Sequence, residues 1–230
     1  MKVLITSGGC KVPIDDVRHI GNFSSGRYGK ELCNEFTKNG NDVIFFHEKG
    51  SDRPEYLYVK DNVVNPTYVA YKDYYDYLKV KDLIKEEQPD LILSAAAISD
   101  YIVDKTEGKI SSDNDELTIK LKKGEKVLQS FRELAPKAFI VGFKLLVSPT
   151  YEEKYEAVKK QLKYVDAVVY NDLTELRKGN DKRELIFQAD DGNIVSAKNM
   201  TVSEIVEELS ISSKVSKVFK HYEILLRELT

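Results

Sequence analysis

Two glycine-containing segments near the start of the chain carry the residue types that bind an anion. The first is Thr6-Ser7-Gly8-Gly9, at the end of a short β-rich run, Val3–Thr6. Glycines there let main-chain N–H groups approach an oxyanion closely. Taken alone the segment also suits an ordinary tight turn. It matches neither G-x-G-x-x-G nor a P-loop, since no G-K-[ST] occurs. The second segment is Asn22-Phe23-Ser24-Ser25-Gly26, directly before a helical pattern. Ser24 or Ser25 can cap that helix, whose free N–H groups make an anion site. Asn22 adds an amide able to donate to an acyl or phosphate oxygen. Between the two segments lie Pro13-Ile14-Asp15 and Arg18, in a loop far longer than the roughly 2–6 residues usual between a strand and its helix. Such a loop at the ligand end of a sheet points to function.

The elements that would position these groups alternate in type. Val3–Thr6, Asp42–His47, Asp90–Ala95, Ala138–Phe143 and Asp166–Tyr170 are continuous apolar runs of strand length, and Tyr56–Val59 is a weaker one. Gly26–Asn39, Tyr71–Gln88 and Glu152–Lys163 carry helical spacing between them. Buried strands separated by helices predict an α/β fold, a Rossmann-like three-layer domain with a mainly parallel sheet. Ligands in such sheets bind beyond the carboxyl ends of the strands. Two stretches break the alternation. Lys105–Asp115 is polar and leads into Glu116–Lys122, whose alternation suits a half-buried strand, so a flap at about 102–116 and a hairpin are expected. Leu185–Ala189 and Asn193–Ser196 flank Asp191-Gly192, a hairpin signal, and Thr201 with Glu204 forms a capping box for a following helix. The hairpin and helices are expected over about 184–230, within one nucleotide-binding domain spanning 1–230.

The bulk properties narrow the function classes. The chain has 230 residues, 42% hydrophobic and 32% charged, with a formal net charge of −3, enough for a sizeable core and with no basic surface for nucleic acid. Phosphate binding must therefore be local. Two cysteines without C-x-x-C spacing favour a reducing, cytoplasmic setting. No run approaches the roughly 20 apolar residues of a membrane span. His19, His47 and His221 show no metal spacing.

Ile5–Leu32, ITSGGCKVPIDDVRHIGNFSSGRYGKEL, is similar to the opening of phosphopantothenate–cysteine ligases. Their pattern is T-S-G-G-T, then P-I-D-x-V-R-x-I, then N-x-S-S-G-x-x-G; Cys10 stands where Thr is usual. Ser94–Tyr101 resembles the family's A-A-V-A-D-Y, Lys109-Ile110-Ser111-Ser112 its flap, Gly142–Leu145 the G-F-K-L of standalone forms, and Asn171-Asp172 its A-N-D, with Tyr170 in place of Ala. The resemblance spans nearly the whole chain and points to a standalone form.

That resemblance implies a ligase of coenzyme A synthesis. It would join 4′-phosphopantothenate to L-cysteine through an acyl-nucleotide, acyl-CMP if CTP is the co-substrate, with ATP the alternative and Mg²⁺ bridging phosphates. Neither step needs an enzyme nucleophile, so catalysis is positioning and charge stabilisation. Carried over by motif, Asn22 stabilises the acyl-nucleotide. Ser24 and Gly26, with Gly8 and Gly9, hold phosphate. Ser94, Ala95, Ala96 and Phe143 frame the base. Asp100 meets ribose or metal, and Lys109 neutralises the triphosphate from a closing flap. Lys159 and Lys163, four apart on one helix face, align with nucleotide contacts. Arg18, Asn171 and Asp172 join Asn22 at phosphopantothenate. Family members are homodimers, so a homodimer is expected, with neither nucleic acid nor membrane as partner. A nicotinamide-dependent oxidoreductase is the rival, with Glu48 on the ribose and Tyr155/Lys159 as a dehydrogenase pair. A non-catalytic nucleotide-binding protein of the same fold is the second.

Overall fold

The apolar runs become the inner strands of one eight-stranded sheet in this computed structural model, which describes residues 1–55, 57–59, 62–189 and 193–214. The strands are β1 (Lys2–Ser7), β2 (Asp42–Glu48), β3 (Thr67–Tyr71), β4 (Leu91–Ser94), β5 (Phe139–Leu146), β6 (Ala167–Asp172), β7 (Arg183–Gln188) and β8 (Ile194–Met200). Their order is β8-β7-β6-β5-β4-β1-β2-β3. Every pairing from β3 to β6 is parallel, while β7 and β8 add antiparallel at one edge.

Side-chain alternation divides the core into two layers. Val3 and Ile5 of β1 face helix α1 (Arg27–Lys38), through Leu32 and Phe36, and the helical residues 202–214, through Ile205 and Leu209. Leu4, Ile92, Ile140 and Val168 face the opposite way. They are covered by α2 (Val80–Glu87) and α3 (Tyr151–Leu162), through Ile84, Val158 and Leu162. Each such fully buried side chain stabilises the domain by about 1.5–3 kcal/mol. Helix α3 begins with a capping box between Thr150 and Glu153, and the expected Thr201–Glu204 box is present, with Thr201 N donating to Glu204 Oε2 at 2.7 Å.

Three expectations are corrected. Tyr71 does not start a helix: Thr67–Tyr71 is a parallel strand, and Asp73 caps a one-turn helix, Tyr74–Tyr77, by accepting from the Asp76 N–H at 3.0 Å. The tyrosines from Tyr68 to Tyr77 serve a pleated strand first and a helix second, so a single helical period over 71–88 hides the boundary. Glu116–Lys122 does not form a strand; only Lys122–Lys123 pairs, with Tyr101–Ile102, and Leu117 and Leu121 stay exposed. Leu57–Val59 does not join the sheet but pairs with Asn62–Val64. The hairpin strands pair in the expected register, with Phe187 opposite Val195. Its Asp191-Gly192 turn, Tyr56 and the tail beyond residue 214 lie outside the described residues. Among the described residues no helix is long and apolar enough to cross a membrane.

Strands β1 and β4 are neighbours, yet the chain leaves them toward opposite edges of the sheet. That reversal opens a crevice beyond their carboxyl ends, where the connecting loops part.

Candidate functional site

The two glycine-containing segments meet across this crevice. Ser7 Oγ donates to the Gly26 carbonyl at 3.2 Å, and Ala97 N donates to the Gly8 carbonyl at 2.9 Å, tying the loops after β1 and β4 together. Tyr71, fully buried, directs its hydroxyl at the carbonyls of Ser7 (2.9 Å) and Gly9 (2.8 Å), which holds the Ser7–Gly9 turn from below. Gly8 and Gly26 both have positive φ, 93° and 82°, and a Cβ on either would lie within 3.0 Å of Ser51 Cβ. Gly26 then opens α1, where Ser25 Oγ accepts from Arg27 N at 3.2 Å, so Ser25 and not Ser24 supplies the side-chain bond. Asn22 lies across the crevice: Nδ2 donates to the carbonyls of Ala97 (3.2 Å) and Ile98 (3.3 Å), fixing the side-chain plane and leaving Oδ1 on the other side.

Ala96 and Phe143 divide the crevice into two cavities. One, of about 430 Å³, lies on the α1 side and brings together the predicted Ser24, Gly26, Ala95, Ala96, Phe143 and Asn171. The Phe143 ring meets Tyr28 edge-on at 6.0 Å, giving this cavity an aromatic wall. The other, of about 600 Å³, lies on the α3 side and holds the predicted Ser94, Ala96, Asp100, Phe143 and Lys163. It is basic, because Lys126, Lys144 and Lys160 line it too. Asp100 stands there in an ion pair with Lys126. A third cavity of about 290 Å³, next to Asn22 and Gly9, is closed by Glu48, whose Oε1 accepts from Lys11 at 2.7 Å.

Several predicted residues lie elsewhere. Lys159 is exposed and rests over the Tyr155 ring at 5.7 Å, while Lys160 and Lys163 take the cavity face. Spacing four apart put Lys159 and Lys163 on one stripe, but Ala157, Lys160, Gln161 and Tyr164 form the stripe that α3 turns to the cavity. The Asp172 carboxylate caps the short helix Leu173–Arg177 by accepting from Thr174 N at 2.8 Å. Arg18 commits Nε and Nη2 to Asp15 Oδ2 at 2.9 and 2.6 Å, and Nη2 also to the Ile110 carbonyl at 2.7 Å.

That Arg18–Asp15 pair anchors the segment around Ile110, where the flap is expected. Asp15 is buried and also accepts from the N–H groups of Val17, Arg18 and Ile110. The Arg18 guanidinium holds its carboxyl well below the usual carboxylate range, with those N–H donors adding to the effect. One step along, Asp16 Oδ2 accepts from Gly108 N at 2.9 Å, and Asp16 Oδ1 pairs with Lys105 at 2.5 Å. Lys109 therefore sits between two strapped residues, Gly108 and Ile110, exposed and without an ion-pair partner among the described residues. The two acids of the Pro13–Arg18 loop fix the backbone on either side of Lys109 and leave its ammonium group without an ion pair among the described residues.

The residues that support the oxidoreductase alternative are otherwise engaged. Glu48 is buried and spends Oε2 on Gly50 N at 2.8 Å, and neither Tyr155 nor Lys159 lines either half of the crevice. Sequence reading missed Tyr71, Lys126, Lys160 and Arg183. Of these Arg183 had a signal, since it shares strand parity with the buried Leu185.

Residues 1–216 match the family described as DNA/pantothenate metabolism flavoprotein C-terminal domain. The coenzyme A biosynthesis bifunctional protein CoaBC of Methanocaldococcus jannaschii is 34% identical over 222 residues, covering 95% of this chain and 51% of that protein. Phosphopantothenate–cysteine ligase 1 of Arabidopsis thaliana is 32% identical over 220 residues, covering 74% of this chain and 69% of that one. The chain spans about half the length of the CoaBC relatives it matches. A DNA/pantothenate metabolism flavoprotein from Streptococcus pneumoniae superposes with a TM-score of 0.75 at 25% identity, covering 94% of this chain and 99% of that one. A Cab2 mutant solved in complex with phosphopantothenate-cysteine gives a TM-score of 0.76 at 23% identity, covering 96% and 88%, and shares the fold.

Proposed function

The chain belongs to the DNA/pantothenate metabolism flavoprotein C-terminal domain family, and on that premise we propose that it is a phosphopantothenate–cysteine ligase of coenzyme A biosynthesis. One observation carries the reading: Ser24, Gly26, Ala95, Ala96, Phe143 and Asn171 converge on a single crevice, beside an Asn22 amide held by two carbonyls. A carboxylate is a poor acyl donor and must be activated. The arrangement suits activation by a nucleoside triphosphate, because it offers main-chain donors at a helix start and basic side chains but, among the described residues, no activated nucleophile.

In the proposed reaction the substrate carboxylate attacks the α-phosphorus of CTP, and pyrophosphate leaves. The cysteine amine then attacks the acyl carbon of the acyl-CMP, releasing CMP and a proton. Asn22 orients the acyl-nucleotide, the Gly8–Gly9 turn and the start of α1 hold phosphate, and Lys109 reaches in from the strapped flap. Arg18, placed at phosphopantothenate by motif, acts through the flap instead. Mg²⁺ fits as a cation carried in on the phosphates. No trio of acidic, histidine or cysteine side chains converges among the described residues, and Asp100 offers one carboxylate if Lys126 yields it. The cation would neutralise phosphate charge. We further propose a cytoplasmic homodimer; Phe23, wholly exposed beside the crevice, is apolar surface that a second copy would cover.

The test is to supply 4′-phosphopantothenate with CTP or ATP, with and without cysteine. The reading expects pyrophosphate once the acid and CTP are present, and the amide only when cysteine is added. Nucleotide binding without pyrophosphate release under all conditions would leave a non-catalytic binder. Faster turnover with ATP would reverse the nucleotide assignment alone. Light scattering tests the dimer.

A further inference from the structure

Arg183 is the first residue of β7 and points to the α1 face of the sheet, as Leu185 does two residues on. Opposite it the β7–β8 register slips: Arg183 faces Met200 and Leu185 faces Ala197, so β8 carries one extra residue there, and Asn199 has φ 57°. Such a bulge re-aims the side chains beside it. Arg183 is 94% buried, its guanidinium lying over the Tyr28 ring at 4.8 Å. Nη1 donates only to main-chain carbonyls, of Lys182 at 3.1 Å and Asn180 at 3.4 Å, and Nε is buried with no partner.

A buried guanidinium is normally matched to a carboxylate. Among the described residues none is in contact with this one. The nearby acids are taken by Arg27, which pairs with Asp181 at 2.6 Å and Glu31 at 3.7 Å. Yet Arg183 lines the 430 Å³ cavity together with Gly26 and Arg27, where α1 begins. Tyr28, on which it rests, belongs to the first turn of α1. The start of a twelve-residue helix carries free N–H groups and partial positive charge. Two sources of positive potential thus share one wall, and the planar guanidinium has donors that the protein does not use.

We propose that Arg183 is an anion-binding residue that contacts the polyphosphate of the nucleoside triphosphate at the start of α1. The identity of the anion rests on the ligase reading above; the existence of the subsite does not. With the nucleotide bound, the unmatched charge gains its counter-ion from the ligand. The residue then discriminates triphosphate from monophosphate and meets the charge of pyrophosphate as that group leaves the acyl-CMP formed in the first step.

The rival explanation is purely structural, a cation–π staple holding β7 to α1. Arg183→Met and Arg183→Lys separate the two. The measurements are calorimetric affinity for inorganic pyrophosphate and for CTP, the KM for 4′-phosphopantothenate, and thermal unfolding. The proposal expects Arg183→Met to weaken pyrophosphate and CTP by about 10–100-fold, the size of a lost charged hydrogen bond. The KM for phosphopantothenate should change little. Arg183→Lys keeps charge and loses the fork, so it should fall between; this variant decides the matter if Arg183→Met does not fold. Wild-type affinity for pyrophosphate in the folded variant, whatever its melting temperature, would overturn the proposal, as would a wild-type protein that binds neither ligand. If the variant loses pyrophosphate affinity while the wild type makes no amide product, Arg183 keeps its role and the ligase reading falls.

Discussion

Alanine at Gly29 probes how closely α1 must approach β1 for the crevice to exist. A Cβ built on Gly29 falls 2.2 Å from Ser7 Oγ and 2.6 Å from Ser7 Cβ, against about 3.5–4.0 Å for a relaxed carbon contact. Ser7 is fully buried, so its side chain has nowhere to turn, and helix and strand must separate by roughly 1 Å. Overpacking by one methyl costs about 1–3 kcal/mol, and an overlap this deep belongs at the upper end. Separation also breaks the Ser7–Gly26 bond, worth about 1 kcal/mol. Against these, alanine is a better helix former than glycine by about 1 kcal/mol. The net loss is about 2–3 kcal/mol, or roughly 4–12 °C in Tm for a domain of this size. Urea unfolding measures it, and the KM for nucleotide should rise because the start of α1 is displaced. Ser7→Gly removes both close atoms, leaving the Ser7 Cα at 3.5 Å. The double variant should therefore lose less than the two single losses added, by about 2 kcal/mol. Equal or greater stability in Gly29→Ala, or additive losses in the cycle, would refute the packing argument.

Four further outcomes are expected. Asp15→Asn should lower stability at neutral pH. The Asp15 pKa is depressed by folding, so its contribution is whole above the unfolded carboxylate range, near 4, and fades as pH falls toward the folded value. The gap between wild type and Asp15→Asn should thus be constant from pH 5 to 8 and shrink below about pH 4; a gap unchanged down to pH 2 would count against the Arg18–Asp15 account. Tyr71→Phe removes the one hydroxyl hydrogen shared by the buried Ser7 carbonyl and the part-buried Gly9 carbonyl and should cost about 1–2 kcal/mol in urea unfolding, with weaker nucleotide binding. Lys109→Ala should slow pyrophosphate release by about 10²–10³-fold with little change in stability, because the lysine is exposed and unpaired; an unchanged rate would make it a solvated flap charge. Asn22→Asp should impair amide formation more than pyrophosphate release, and equal loss in both would remove its assigned role.

Much was legible along the chain. The strands β1, β2, β4, β5 and β6 are continuous apolar runs, and burial on both faces is what makes a strand uniformly apolar. The glycines and serines of the first 29 residues were legible as well, because turn and helix-start geometry is local and restricts residue type directly. What tertiary structure alone decided concerns partners far apart in sequence. Arg18 has the residue type of an anion ligand, but its guanidinium closes on Asp15 and on Ile110, 92 residues away. Lys160 enters the cavity in place of Lys159 because the rotation of α3 is set by Val158 and Leu162 packing on the sheet. Strand parity with Leu185 turns Arg183 inward, but only the bulge in β8 and the Tyr28 ring place its guanidinium beneath α1. Local rules specify which conformation a segment takes. Which donor finds which acceptor depends on strand order, helix rotation and register, which are settled only when both layers pack on the sheet.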